Sequence, residues 1–210
     1  MARAKSAKKT EEVEKLAVHA FGGLSFYYHD SPITITWESQ KARLLFCSLL
    51  VTYDQWVHRD KLIEILWPGC DVGAGANNFK TTLSRLRKSF TGASTINPII
   101  TQGEAIRIDS AIISLDVSQF RHNATSGIKM YARGEAKTAR QCLEAAQDIY
   151  TAEFLPEEPF NQFLTAERAE LEELNSSVIR TLQKIYQQQG NHDALEAILF
   201  LKRSPIPEPA

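Results

Sequence analysis

The stretch 76–90, ANNFKTTLSRLRKSF, limits what this chain can fold into more than any other. Phe79, Leu83, Leu86 and Phe90 recur at steps of four, three and four, so at 3.6 residues per turn they form one apolar stripe that has to be buried. The remaining surface of such a helix carries Asn77, Asn78, Lys80, Thr81, Thr82, Ser84, Arg85, Arg87 and Lys88, all hydrogen-bond donors, and no carboxylate. Surface helices usually mix both signs of charge. Residues 72–103 hold four basic side chains and no Asp or Glu, a local field suited to phosphate oxygens. A solvated amphipathic helix would show the same pattern, so the flanking sequence has to decide.

With 210 residues the chain is long enough for two small domains, each with its own core. Charge divides along the same line. Residues 1–103 contain 13 Lys/Arg against 9 Asp/Glu, and residues 104–210 contain 11 against 16. That split confines a nucleic-acid face to the first half. Cys47, Cys70 and Cys142 are odd in number and far apart, with no metal-ligand spacing, so neither a disulfide framework nor a metal site is expected. No cofactor is expected either. Reduced cysteines, the lack of a signal peptide and the lack of an apolar run of membrane-spanning length point to the cytoplasm and away from a membrane. Residues 1–16 read as a disordered basic tail.

Taken in order, residues 18–26 and 33–37 alternate as two strands of a hairpin, with Asp30-Ser31-Pro32 as the turn. A helix over 40–51 turns Ala42, Leu45, Phe46 and Leu49 inward. A second, over 59–66, buries Leu62, Ile65 and Leu66 and stops at Trp67-Pro68-Gly69. A Gly- and Ala-rich loop, 69–75, precedes the basic helix, and strands at 96–101 and 105–108 follow it, joined by Gln102-Gly103-Glu104. Two helices, a turn, a basic third helix and then a hairpin give an α+β winged helix-turn-helix domain, set at 17–112. From Asp116 the pattern is helical, broken near Arg133-Gly134, Phe154-Leu155-Pro156 and Gln189-Gly190. Its apolar stripes are Ala139, Leu143, Ala146 and Tyr150; Phe160, Phe163, Leu164, Leu171, Leu174, Val178, Leu182 and Ile185; and Ala194, Leu195, Ile198 and Leu199. Residues 113–210 therefore read as an all-α domain of helical hairpins, tetratricopeptide-like.

Phe21-Gly22-Gly23-Leu24, residues 40–45, Arg59 to Ile63, Leu66-Trp67-Pro68, Asn77-Asn78-Phe79 and residues 83–88 resemble the winged helix of bacterial antibiotic-regulatory (SARP-type) activators. Residues 115–120, 150–156 and 167–171 resemble the bacterial transcriptional activator domain that follows it in that family. The resemblance covers about nine-tenths of the chain. It implies a non-enzymatic transcriptional activator that binds promoter repeats in double-stranded DNA, as a homodimer on tandem half-sites, and recruits RNA polymerase. By that resemblance Asn77, Asn78, Thr81, Thr82 and Arg85 read bases. Lys80, Arg87 and Lys88 are placed for the DNA backbone, and the loop of Trp67, Pro68 and Asp71 faces polymerase. Apart from the resemblance, Ser84 and, from the first helix, Arg43 are further backbone candidates, with a solvated face as the alternative for Arg43. Two features depart from the family. Glu104 puts a carboxylate at the wing tip, which argues against minor-groove contact, and the helical half stops near Leu201 to Pro205, as a fragment or a short form would.

Arg85 can donate two bonds to guanine O6 and N7, or make a phosphate contact or a surface ion pair. Asn77 and Asn78 suit adenine, and suit helix capping as well. The five histidines are dispersed and no nucleophile sits in a motif beside them, so no catalytic set emerges. Two other readings stay open at this point: a protein-interaction module with weak or no DNA binding, and a regulator that senses a ligand between its domains.

Overall fold

A computed structural model describes residues 15–91, 97–158 and 161–203, with side chains to 199. The first half holds β1 (Leu16–His19), β2 (Ser25–Tyr28), β3 (Ser31–Ile33), α1 (Gln40–Val51), β4 (Val57–His58), α2 (Arg59–Leu66), α3 (Val72–Thr91), β5 (Ile99–Gln102), β6 (Ala105–Ile108) and β7 (Ile113–Leu115). The second holds α4 (Asp116–Ala132), α5 (Ala136–Ile149), α6 (Gln162–Gln189) and α7 (His192–Arg203). The basic-tail expectation falls mostly outside the described residues. Leu16, its last member, is buried and opens β1 instead.

The front hairpin is shifted from its expected place. β1 and β2 pair antiparallel around Gly22 and Gly23, with Val18 opposite Phe26. Both glycines have positive φ, 76° and 126°, a region closed to most side chains. β2 then turns back at His29 and Asp30, at φ 49° and 58°, so Ser31 and Pro32 form strand rather than turn. A two-residue hairpin with positive φ at both central positions matches strand twist, and Asp tolerates it. Pro32, which donates no bond, sits on the edge strand. Ile113–Leu115, assigned by sequence to the helical half, pairs parallel to β1, giving the order β3-β2-β1-β7. A three-residue strand leaves no periodicity to read.

α1 and α2 lie where the sequence puts them. Ser39 caps α1 by accepting from the Ala42 amide at 3.2 Å. Expectation and structure part at α3, which starts at Val72 rather than at 76. Asp71 accepts from the amides of Gly73 and Ala74 at 3.0 and 3.3 Å, so the Gly-Ala run is the first turn of the helix and not a loop. Gly75 is needed there: a Cβ would stand 2.8 Å from Ile63 Cγ2 and 2.9 Å from Cys70 Sγ, and its absence lets α3 pack against α2. The stripe of α3 is inward as expected, with Phe79, Leu86 and Phe90 buried and Leu83 half-buried. Phe90 meets Phe26, Trp37 and Phe46 at ring distances of 5.1 to 5.9 Å. β5 and β6 form the wing, with β4 on the far side of β6. Ile96, expected in the first wing strand, lies outside the described residues.

In the second half the helices pair as hairpins. α4 and α5 meet at Gly127, where a Cβ would lie 2.6 Å from Leu143 Cγ and 3.1 Å from the backbone oxygen of Ala139. The backbone oxygen cannot step aside, so Gly127→Ala is expected to cost about 1–3 kcal/mol by overpacking, as measured by denaturant titration. Gly190, at φ 65°, ends α6. Of the long stripe, Leu164, Leu171, Val178, Leu182 and Ile185 are buried, and Phe160 lies outside the described residues.

The halves are fused rather than tethered. Asp116 accepts from the amides of Ala20 and Phe21 at 2.9 and 3.1 Å. The segment after α5 returns across the β1–β2 turn, where Leu155 N donates to Ala20 O and Gly22 N to Glu153 O, both at 2.8 Å. Arg168 holds that segment by donating to the carbonyls of Phe154, Leu155 and Glu158.

Candidate nucleic-acid interface

On α3 the residues Asn77, Thr81, Ser84 and Lys88 form a second stripe at steps of four, three and four. It is offset by two residues from Phe79, Leu83, Leu86 and Phe90, about 200° around the helix, so it points away from the core. All four are exposed. Asn78 and Arg85, seven residues apart, share one flank of this face. Lys80 and Arg87 share the other, toward the wing. Among the described residues, the side chains of Asn77, Asn78, Lys80, Thr81, Ser84 and Arg85 have no hydrogen bond or ion pair within the protein, which leaves their donors available to a ligand. Neither asparagine caps the helix, because Asp71 does so six residues before Asn77.

Five expected site residues are buried or already engaged within the protein. Thr82 is 4 % exposed, packed beneath α3 with Ser89, and cannot reach a base. A helix stripe read only from large apolar residues misses a Thr on its border. Arg43 does not face the α3 surface. Its guanidinium pairs with Glu157 at 2.8 Å and with Glu158, clasping α1 to the segment before α6. Those carboxylates lie over 100 residues away in sequence, so spacing gave no sign of them. Arg43→Ala should therefore lower folding stability by about 1–3 kcal/mol in chemical denaturation. Lys88 is paired to Glu38 at 3.1 Å, so it contributes less free charge than its sequence suggests. Asp71 is occupied as the α3 cap. Trp67, in the same turn, is half-buried under the Lys41 ammonium, 5.6 Å from the ring centroid.

Pro68, beside it, is exposed on the rim of a cleft of about 1070 Å³ walled by α1, α2 and the first turn of α6. Leu44, Ile65, Leu66 and Phe163 give the cleft an apolar floor, with Lys61 and Glu64 at its edge. It lies between the two halves, beside the α2–α3 turn.

Glu104 at the wing turn is not a free anion. Its carboxylate meets Arg59 Nη2 at 2.5 Å and His58 Nε2 at 3.2 Å, and its carbonyl accepts from Arg59 N at 2.9 Å. Between wing and α3 runs a groove of about 340 Å³, lined by Asn77, Lys80, Arg87 and Thr101, with Arg59 and Glu104 at one side. Arg87 Nη2 reaches Thr101 Oγ1 at 3.3 Å across it. Arg59 carries no sequence signal for this role; only the folding of the wing onto the start of α2 brings it there. The structure thus keeps Asn77, Asn78, Thr81 and Arg85 together on one outward face, with Lys80, Ser84 and Arg87 around them.

Among the described residues no helix is long and apolar enough to cross a membrane, and no group of three or more His, Cys, Asp or Glu could hold a metal ion. Burial pushes the Cys47 thiol up to about 12, which keeps it protonated and unreactive.

Residues 115–203 match the bacterial transcriptional activator domain family. Among solved structures, the chain is similar to Mycobacterium tuberculosis EmbR in complex with a low-affinity phosphopeptide, with a TM-score of 0.72 and 21% sequence identity. The match covers 90% of this chain and 51% of that one, so this chain spans about half the length of the protein it resembles. The likeness is one of fold: a first half of sheets and helices followed by the helical activator domain. No curated protein matches.

Proposed function

We propose that this chain, whose residues 115–203 match the bacterial transcriptional activator domain family, is a sequence-specific double-stranded-DNA-binding regulator, an activator rather than an enzyme. One observation carries the reading. The outward face of α3 presents Asn77, Asn78, Thr81 and Arg85 with no side-chain partner among the described residues, flanked by Lys80 and Arg87, on a helix without a carboxylate. A helix of this kind enters the major groove, where such side chains read base edges and the flanking cations hold phosphates.

The fused halves give the activator domain a fixed orientation on bound DNA. Contact with RNA polymerase is assigned to the exposed turn around Pro68 and the cleft beside it, because both halves contribute to that surface. The expected division into 17–112 and 113–210 belongs to the same proposal, with the boundary moved past Leu115 because β7 pairs with β1, as does tandem binding as a homodimer. The interaction-module reading draws on the acidic second half and on Glu104 as a repelling charge at the wing. With Arg59 and His58 holding that carboxylate, the repulsion is smaller.

The test is selection of bound duplexes from a random pool, followed by titration of the selected sequence and a scrambled control at two salt concentrations. A repeated motif preferred over the control supports the proposal. Salt-sensitive binding without a motif reduces it to non-specific DNA binding, and no retardation of any duplex at low salt removes it.

A further inference from the structure

The groove between α3 and the wing holds three cations and one anion. Lys80 and Arg87 come from α3, Arg59 from the start of α2, and Glu104 from the wing turn. Nε of Arg59 and Nε of Arg87 are buried without a hydrogen-bond acceptor, and Asp60 Oδ1 forms a longer ion pair with Arg59 Nε at 3.6 Å, so an anion in the groove meets these groups at their Nη ends, as Glu104 meets Arg59 Nη2. A guanidinium presents five donors in a fork that fits two oxygens of a carboxylate or a phosphate. In the free protein the only anion in this groove among the described residues is Glu104 itself, seated on Arg59 with Oε1 and on His58 with Oε2.

We propose that this groove is a backbone-phosphate site in which the Glu104 carboxylate stands in for the phosphate until duplex arrives. The inference rests on the DNA-binding reading and adds to it a residue, Arg59, and a regulation: a carboxylate built into the wing that competes with DNA for its own cation. When a phosphodiester enters between α3 and the wing, Arg59 exchanges the carboxylate for a phosphate oxygen, with Lys80 and Arg87 on the opposite wall. The pair is half-exposed, so the exchange is close to balanced, and the free Glu104 carboxylate is left near the backbone as a brake on affinity.

Counterions make the exchange measurable. Neutralising a phosphate releases a condensed cation and steepens the salt dependence by about one. Here the released Glu104 carboxylate gathers a cation in turn, so in the wild type this contact adds little to the slope. Glu104→Gln keeps the backbone bond to Arg59 and removes the competitor.

The experiment titrates one selected duplex with wild type, Glu104→Gln, Arg59→Ala and the double variant across a salt series, with Glu135→Gln as a control. Glu135 gives the same change of net charge, but it is exposed at the turn between α4 and α5, where its side chain makes no cap bond. Melting curves confirm that each variant folds. Glu104→Gln is expected to tighten low-salt binding about two- to fivefold and to steepen the salt slope by about one, while Glu135→Gln does neither. In the Glu104→Gln background, Arg59→Ala should abolish both gains, because the two residues act on one phosphate. Equal gains from Glu104→Gln and Glu135→Gln, or gains that survive Arg59→Ala, would overturn the site and leave DNA binding standing. Failure of the wild type and every variant to bind duplex at low salt would overturn the site and the DNA reading together.

Discussion

Arg85→Ala is expected to weaken binding of the selected duplex about tenfold to a hundredfold while weakening a scrambled duplex only slightly. The side chain is exposed on the flank of α3 with no partner among the described residues, so truncating it breaks nothing in the fold. A guanidinium paired with guanine O6 and N7 discriminates by about 1–3 kcal/mol, and each 1.4 kcal/mol is a factor of ten. Lys80, on the other flank, is a point charge suited to phosphate, and Lys80→Ala should weaken both duplexes alike and lower the salt slope by about one. The contrast between the two variants is the measurement. If Arg85→Ala costs the same on selected and scrambled DNA, Arg85 is a backbone contact and base reading falls to Asn77, Asn78 and Thr81.

How much of this was legible in the sequence depends on how local each feature is. α1, α2 and the inward stripe of α3 are set by side chains within three or four residues of one another, and they lie where periodicity puts them. The sequence puts the α3 start too late because glycine and alanine in 73–75 read as loop, while the signal that counts is a single cap, Asp71, three residues before Ala74. β3 moved because a two-residue turn at His29-Asp30 depends on backbone φ, and Pro32 draws the eye to itself as a turn residue. Thr82 was taken for a reader because a hydroxyl residue one step off an apolar stripe is buried or exposed according to what α3 packs on. The roles of Arg43, Glu104 and Arg59 are set by partners far off in the chain, or brought beside them by the wing, and no spacing rule reaches those. The site was therefore readable where one helix makes it and hidden where several elements meet.

Those distant contacts also decide how the molecule melts. Two domains joined by a linker would unfold separately, and each would report only on its own core. Here Phe120, fully buried in α4, places its ring 5.5 Å from Phe21 beside β1 and 5.1 Å from Tyr150 at the end of α5. Phe21 in turn bridges to Phe154 in the segment that Arg168 holds. Removing the Phe120 ring leaves a cavity at the centre of the junction, so Phe120→Ala is expected to cost about 3–5 kcal/mol. For a chain of this length that lowers the melting temperature by roughly 10 °C. Because the ring belongs to both halves, calorimetry should show a single transition for the wild type and for the variant, shifted as a whole. If the variant instead gave two transitions, with the winged-helix half melting where the wild type does, the junction would be a contact between independent domains. The proposed fixed orientation of the helical half on DNA would then have to come from elsewhere, since a junction that opens without disturbing the winged helix cannot hold the cleft beside Pro68 in one shape.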